Sequence, residues 1–308
     1  LEAADARLPL QSDCEITLEA NPGAAECGAF EGYARAGVNR ISFGVQSFDD
    51  GCLQRLGRIH DAGQATRAIQ QAQDAGFDNL NLDLMYALPG QDLDMAQDDV
   101  AQAIALAPAH ISHYQLTLEP NTVFATRPPE HMPDQDIAWD MQERCQAQLA
   151  AAGYVQYEVS AYARHGRQCA HNLNYWRFGD YLGIGAGAHG KISRIDAAMS
   201  QLHLQRRWKH KHPAHYLASA GTAQAIGGDD PIPPAQRPFE YMLNALRLCE
   251  GFALDHFETT TGLPAEVIAA PLARAQVRGW LQVGPGRVQP TPLGSRFAND
   301  VIAGFLAD

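Results

Sequence analysis

Four segments of the chain alternate apolar and polar residues so that carboxylates, amides and hydroxyls collect on one face of each. In 15–21, Ile16, Leu18 and Ala20 alternate with Thr17, Glu19 and Asn21. In 40–47, Ile41, Phe43 and Val45 alternate with Ser42, Gly44 and Gln46. Leu80, Leu82 and Leu84 stand against Asn79, Asn81, Asp83 and Met85 in 79–85, and Tyr114, Leu116 and Leu118 against His113, Gln115, Thr117 and Glu119 in 110–119. A period of two marks β-strands with unlike faces. Helical patterns separate the strands, so the apolar faces are expected to pack under helices and the polar faces to share an interior. A barrel filled for stability alone stacks Val, Ile and Leu inside. Polar groups near the carboxyl ends of successive parallel strands instead predict a binding cavity.

The intervening helices are read at 24–37, 65–76 and 94–107, with Gly37 and Gly76 as stops. The repeat of strand and helix at a spacing of about thirty residues is that of a parallel α/β unit. Four strands are too few to close a barrel. The opening LEAADARL reads as a helix entered midway, so a preceding segment is expected, and one or two further units would give a six-stranded partial (β/α) barrel. A proline-rich stretch at 119–134 ends this unit, followed by a helix at 136–153 and an alternating edge strand at 154–164. Residues 227–238 read as a linker. Beyond it, three helices, a hairpin at 279–294 and a closing helix form a small winged-helix-like module. The expected division is therefore 1–130, 131–230 and 231–308.

A net charge of −12 and a pI near 5.4 exclude a phosphate-backbone binder, and the module carries no basic recognition helix. Nucleic acid is not an expected partner. No stretch approaches the roughly 18 apolar residues of a membrane span, and no signal peptide opens the chain. A cytoplasmic protein with at most peripheral membrane contact is expected. The cysteines at 14, 27, 52, 145, 169 and 249 form no CxxC pair, which predicts isolated reduced thiols.

Glu19, Gln46, Asp83 and Thr117 lie near the ends of the four strands. A barrel interior satisfied by its own hydrogen bonds would contain such residues too. Their chemistry nonetheless suits ribose hydroxyls and an ammonium group, and Arg58 offers a fork for a carboxylate. A nucleoside bearing an amino acid needs that set. A second constellation, His171, Asn172, Tyr175 and Trp176, sits in an aromatic segment where a histidine is most often a buried hydrogen-bonding residue. The glycines of 183–190 suit either close approach to a flat ligand or a tight turn. The basic run 203–216 reads as a solvated charged face before a propionate site. Cys169 reads as a small buried or surface thiol.

The runs ITLEANP (16–22), RISFGVQSF (40–48), LGRIH (56–60), NLDLMYALPGQ (81–91) and YQLTLEPNT (114–122) closely resemble radical S-adenosylmethionine proteins related to oxygen-independent coproporphyrinogen III oxidase. The resemblance continues through YEVSAYAR (157–164), HNLNYWRFGDYLGIGAGAHG (171–190) and the carboxyl-terminal module, and so covers nearly all of the chain. LGRIH and the HNLNYW block look more like the heme-chaperone branch than the oxidase branch. The resemblance implies a partial radical S-adenosylmethionine barrel, with the cofactor held by Glu19, Gln46, Arg58 and Asp83 and more weakly by Thr117. It implies a [4Fe–4S] cluster as well. The CxxxCxxC motif that would hold the cluster occurs nowhere in 1–308, which places its ligands in the expected preceding segment.

For the second constellation the resemblance implies a heme or porphyrin site of His171, Asn172, Tyr175 and Trp176, with His171 a candidate ligand to heme iron. Two functions follow as expectations: heme binding with delivery to apo-hemoproteins, or radical decarboxylation of porphyrinogen propionates. A third reading, that residues 1–308 alone do neither, stays open.

Overall fold

The computed structural model describes residues 1–23, 29–196 and 201–306, which divide into two compact units, Leu1–Cys169 and Ala170–Asp308. The first part of the helix expected at 24–37, with Cys27, lies outside the described residues.

The first unit is built on one six-stranded sheet in the order β1-β2-β3-β4-β6-β5. Strands β1 (Thr17–Ala20), β2 (Arg40–Gln46), β3 (Leu80–Tyr86) and β4 (His110–Gln115) run parallel. Strands β5 (Val155–Glu158) and β6 (Ala161–Ala163) form an antiparallel pair, and β6 lies antiparallel against β4. The single edge strand expected at 154–164 is thus a hairpin. Glu158 accepts from both the backbone and the hydroxyl of Ser160, at 3.1 and 2.9 Å, and that contact turns the chain.

The helices of this unit are α1 (Glu2–Asp5), α2 (Phe30–Arg35), α3 (Asp50–Arg55), α4 (Ala62–Asp74), α5 (Leu93–Ala105), α6 (Val123–Thr126) and α7 (Gln135–Ala151). Aspartates start four of them: Asp49, Asp61, Asp92 and Asp134 each accept a first-turn backbone N–H. Gly37 and Gly76 take φ of 100° and 93° after α2 and α4, as stops in that position require. The sheet's apolar face is covered by buried stripes such as Ala65, Ala68, Ile69 and Ala72 on α4 and Ala138, Met141, Cys145 and Leu149 on α7. Ile41, Phe43, Leu80, Leu82 and Leu84 lie under them, each stabilising the fold by about 1.5–3 kcal/mol.

The second unit opens with α8 (Ala170–Trp176) and a three-stranded antiparallel sheet of β7 (His189–Asp196), β8 (Gln201–Lys209) and β9 (Ile226–Pro231). The stretch expected as a linker at 227–238 therefore supplies an edge strand. Its acidic residues Asp229 and Asp230 stand opposite Arg207 and Arg206 of β8, and the ladder together with the Arg207–Asp229 ion pair outweighs a composition rich in Gly and Pro.

After α9 (Pro213–Ser219), the unit ends in α10 (Arg237–Ala245), β10 (Phe252–Ala253), α11 (Leu254–Thr261), α12 (Glu266–Val277), the hairpin of β11 (Leu281–Gly284) and β12 (Arg287–Pro290), α13 (Pro292–Arg296) and α14 (Ala298–Ala303). This follows the helix, helix, helix, hairpin, helix order expected from sequence, with β10 added to the wing and the single closing helix replaced by two, α13 and α14. Arg237, buried, ties the unit together by donating to the carbonyls of Ile232, Thr261 and Leu202 at 3.2, 2.7 and 3.1 Å. Among the described residues no helix is long and apolar enough to cross a membrane, and Cys14, Cys52, Cys145, Cys169 and Cys249 form no disulfide.

Candidate functional site

The polar face of the first unit's sheet carries a continuous hydrogen-bond network. Strand register sets Asn81 opposite His110, Asp83 opposite Ser112 and Met85 opposite Tyr114. Asn81 donates to Ser42 Oγ and to Asp83 Oδ1, both at 2.8 Å, and accepts at Oδ1 from Ser112 at 3.1 Å and His110 Nδ1 at 2.6 Å. With its Nδ1–H so used, His110 accepts at Nε2 from Tyr157 Oη, 2.8 Å away. Asp83 also accepts from Ser42 Oγ at 3.3 Å and remains half-buried, with acceptor capacity left on both oxygens.

At the carboxyl end of β2 the ladder slips by a bulge and Gln46 takes φ of 70°. That left-handed turn re-aims its buried side chain, whose Oε1 accepts from Tyr114 Oη at 3.0 Å. Arg58, just beyond α3, is exposed and makes no salt bridge among the described residues. Glu19 lies exposed on β1 opposite Ser42. Burial pushes the Tyr114 phenol up to about 12; Asp83 adds to the rise, Arg58 and the Gln46 bond oppose it, and Glu19 adds to it. One phenol therefore senses Glu19, Gln46, Arg58 and Asp83 together. Thr117 stands apart: it lies past the end of β4, exposed, with its hydroxyl on Glu119 at 3.0 Å.

The faces of β4 are the reverse of the sequence expectation. Tyr114 turns to the polar interior, while His113 turns under the helices and stacks on Tyr86 at 4.7 Å. Burial pushes His113 down to about 4, so its imidazole packs there as a neutral plate. Ser42, Asn81 and Tyr114 belong to the site alongside the expected residues. The signal for Ser42 and Asn81 was their parity with Gln46 and Asp83, whereas Tyr114 reads as apolar by residue type.

In the second unit, α8 divides the other four expected residues between two faces. His171 and Tyr175, one turn apart, approach edge to face at 6.4 Å, and Tyr175 in turn meets Tyr181 at 4.7 Å. Tyr175 is 37% exposed. Asn172 and Trp176 occupy the adjoining face, where the Arg247 guanidinium lies 4.3 Å over the indole. The Trp176 N–H is buried without a hydrogen-bond acceptor among the described residues.

The glycines of 183–190 serve the chain's own turn. A Cβ on Gly183 would stand 2.2 Å from the carbonyl oxygen of His189. In the basic run, Arg206 pairs with Glu240, and Arg207 with Asp229 at 2.6 Å. Cys169 is buried and its backbone N–H donates to Tyr157 Oη at 3.3 Å.

Comparison with known proteins bears on both units. The family model of the radical SAM superfamily matches residues 1–103, and that of the HemN C-terminal domain matches residues 232–297. The heme chaperone HemW of Escherichia coli (strain K12) is 46% identical over 308 residues, spanning 100% of this chain and 79% of the relative. The heme chaperone HemW of Haemophilus influenzae is 45% identical over 302 residues, spanning 98% of this chain and 76% of the relative. Among solved structures, coproporphyrinogen III oxidase (HemN) from Escherichia coli, a radical SAM enzyme, superposes with a TM-score of 0.76 at 19% identity, over 96% of this chain and 70% of that one. That likeness is one of fold.

Proposed function

This chain belongs to the HemW family of heme chaperones within the radical SAM superfamily, and from that membership we propose that it binds heme and passes it to apo-hemoproteins. The observation that carries the reading is the His171 and Tyr175 face of α8, which offers an imidazole and a phenol one turn apart. Both are axial ligands to heme iron. A porphyrinogen substrate carries no iron and would have no use for such a pair. His171 is the proposed iron ligand and Tyr175 the alternative, with Asn172 beside them and Trp176 backing the helix through Arg247.

The polar interior of the first unit is the proposed S-adenosylmethionine pocket. Asp83 and Gln46 would accept from or donate to the ribose hydroxyls, and Arg58 would pair with the methionyl carboxylate. Glu19 would hold the ammonium group or a ribose hydroxyl, and Tyr114 would fix the Gln46 carboxamide. Thr117 would contribute at the rim. In this superfamily the cofactor, together with a [4Fe–4S] cluster, supplies one-electron chemistry at its sulfonium. Residues 1–308 contain no CxxxCxxC and the cysteines are scattered, so none of them is assigned to the cluster and no step is drawn through it. The protein's own part is binding, orientation and exclusion of water. The negative net charge and the cysteines outside any disulfide suit the cytoplasm as the place of action.

The test is to titrate heme into the protein and look for a stable Soret band, followed by transfer to an apo-hemoprotein. A parallel anaerobic assay with coproporphyrinogen III is expected to give no protoporphyrinogen. Turnover there without heme retention would replace the chaperone reading by the oxidase one.

A further inference from the structure

Helix α5 faces the sheet with Ala96, Asp99, Val100 and Ala103, and in that apolar stripe Asp99 is only 3% exposed. A carboxylate so placed is tolerable only if donors surround it. It has three: Phe48 N–H at 2.6 Å, Ser47 Oγ at 2.8 Å and Gln91 Nε2 at 3.1 Å. Ser47 and Phe48 come from the loop after β2, and Gln91 from the loop after β3. Gln91 passes the connection on, because its Oε1 accepts the Leu88 N–H at 3.1 Å.

Each loop begins with a residue in an unfavourable conformation. Gln46 has φ of 70° and Ala87 has φ of 56°, in the left-handed region that L side chains avoid. Such backbone persists where its surroundings over-determine it. Behind Gln46 the chain is tied to Asp99 by a hydroxyl and a peptide N–H, and behind Ala87 it is tied through Gln91. An uncharged residue would be easier to bury in the α5 stripe, and burial indeed pushes Asp99 up to about 6 against the bonds from Phe48, Ser47 and Gln91. The carboxylate serves the loops, since only a multiple acceptor meets three donors at once.

We propose that Asp99 is a positioning residue for the nucleoside pocket, holding the Gln46 carboxamide in place from the far side of the sheet through Ser47 and Phe48. The proposal rests on the reading of that pocket as the S-adenosylmethionine site. Asp99 itself touches no ligand.

The test combines amide hydrogen exchange with a double-mutant cycle in the full chain. Asp99→Ala is expected to speed exchange at both Phe48 and Leu88 and to weaken S-adenosylmethionine binding in equilibrium dialysis about tenfold. Asp99→Asn keeps an acceptor for Phe48 and Ser47 but sets an amide NH2 against Gln91. It should therefore protect Phe48, expose Leu88 and bind within about threefold of the parent. On a Gln46→Ala background, Asp99→Ala should cost no further affinity. Ser47→Ala, which removes one donor of three, runs the same cycle if Asp99→Ala does not fold. Unchanged exchange at both amides, or additive losses in the cycle, would overturn the proposal. Faster exchange in Asp99→Ala alongside parental binding by Gln46→Ala would leave the clamp standing and sink the S-adenosylmethionine reading instead.

Discussion

Tyr114 on β4 donates its hydroxyl hydrogen to Gln46 Oε1 on β2 at 3.0 Å, bridging over β3 and so roofing the strand that carries Asp83. The bond joins two side chains 68 residues apart, and it brings a phenol into the proposed S-adenosylmethionine site.

Tyr114→Phe keeps the ring and deletes that bond. The fold should persist with about 1 kcal/mol less stability, and S-adenosylmethionine affinity should drop roughly fivefold as the carboxamide loses its anchor. Thermal melts with equilibrium dialysis check this; parental affinity would show that Gln46 is held without Tyr114.

Asp83→Ala removes the acceptor proposed for the ribose. Binding should weaken by about 1.5–3 kcal/mol, or ten- to hundredfold. Unchanged affinity in a folded variant takes Asp83 out of the site.

Asp99 predicts a pH dependence of stability. Burial, against three donors, raises it from 3.8 to about 6, so between those values the folded chain binds the proton more tightly than the unfolded chain. Its contribution is full below the unfolded value and is lost as pH rises through about 6. The gap corresponds to about 3 kcal/mol. Asp99→Asn should flatten the stability profile between pH 4 and 6.5 by roughly that amount, as read from denaturant titrations. A profile of the same slope in the variant would assign the titration elsewhere.

His171→Ala should shift or abolish the Soret band of the heme complex while leaving S-adenosylmethionine affinity alone. Tyr175→Phe should change the spectrum little if the imidazole is the ligand. Indifference of the spectrum to both substitutions would mean that α8 does not ligate the iron.

Arg237→Ala leaves three carbonyls of the second unit without their common donor. A loss of about 3 kcal/mol is expected by chemical denaturation. A loss under about 1 kcal/mol would mean that water or neighbours replace the guanidinium.

Much of this architecture was legible from alternation. The period of two located all four parallel strands and put Ser42, Gln46, Asn81 and Asp83 on the polar face, because Leu and Ile opposite them leave no ambiguity. On β4 the same rule failed. Tyrosine counts as apolar and histidine as polar, yet Tyr114 finds a partner for its hydroxyl in the polar interior, whereas a neutral His113 stacks under the helices with its Nδ1 unpaired among the described residues. Parity alone cannot say which face of an ambiguous strand points inward. Asp99 was illegible for another reason: in the run of acidic residues on α5 nothing local separates it from its solvent-facing neighbours Asp94 and Asp98, and its partners lie 51 and 52 residues upstream. The strand at 226–231 was hidden by composition, since Gly and Pro signal a linker until the arginines opposite the two aspartates are known.

Asn81 uses both amide hydrogens and its oxygen, and this gives the barrel interior a direction. Starting at the Cys169 peptide, each group gives its hydrogen forward: Cys169 to Tyr157, Tyr157 to His110, His110 to Asn81, and Asn81 to Ser42 and Asp83. The row ends on a carboxylate, which can only receive. Turning the Asn81 amide over would set acceptor against acceptor at Asp83. The interior is therefore a polarised rail whose terminus advertises lone pairs alone, so a guest at Asp83 must arrive bearing hydrogens to give, as a sugar diol does and a ketone does not.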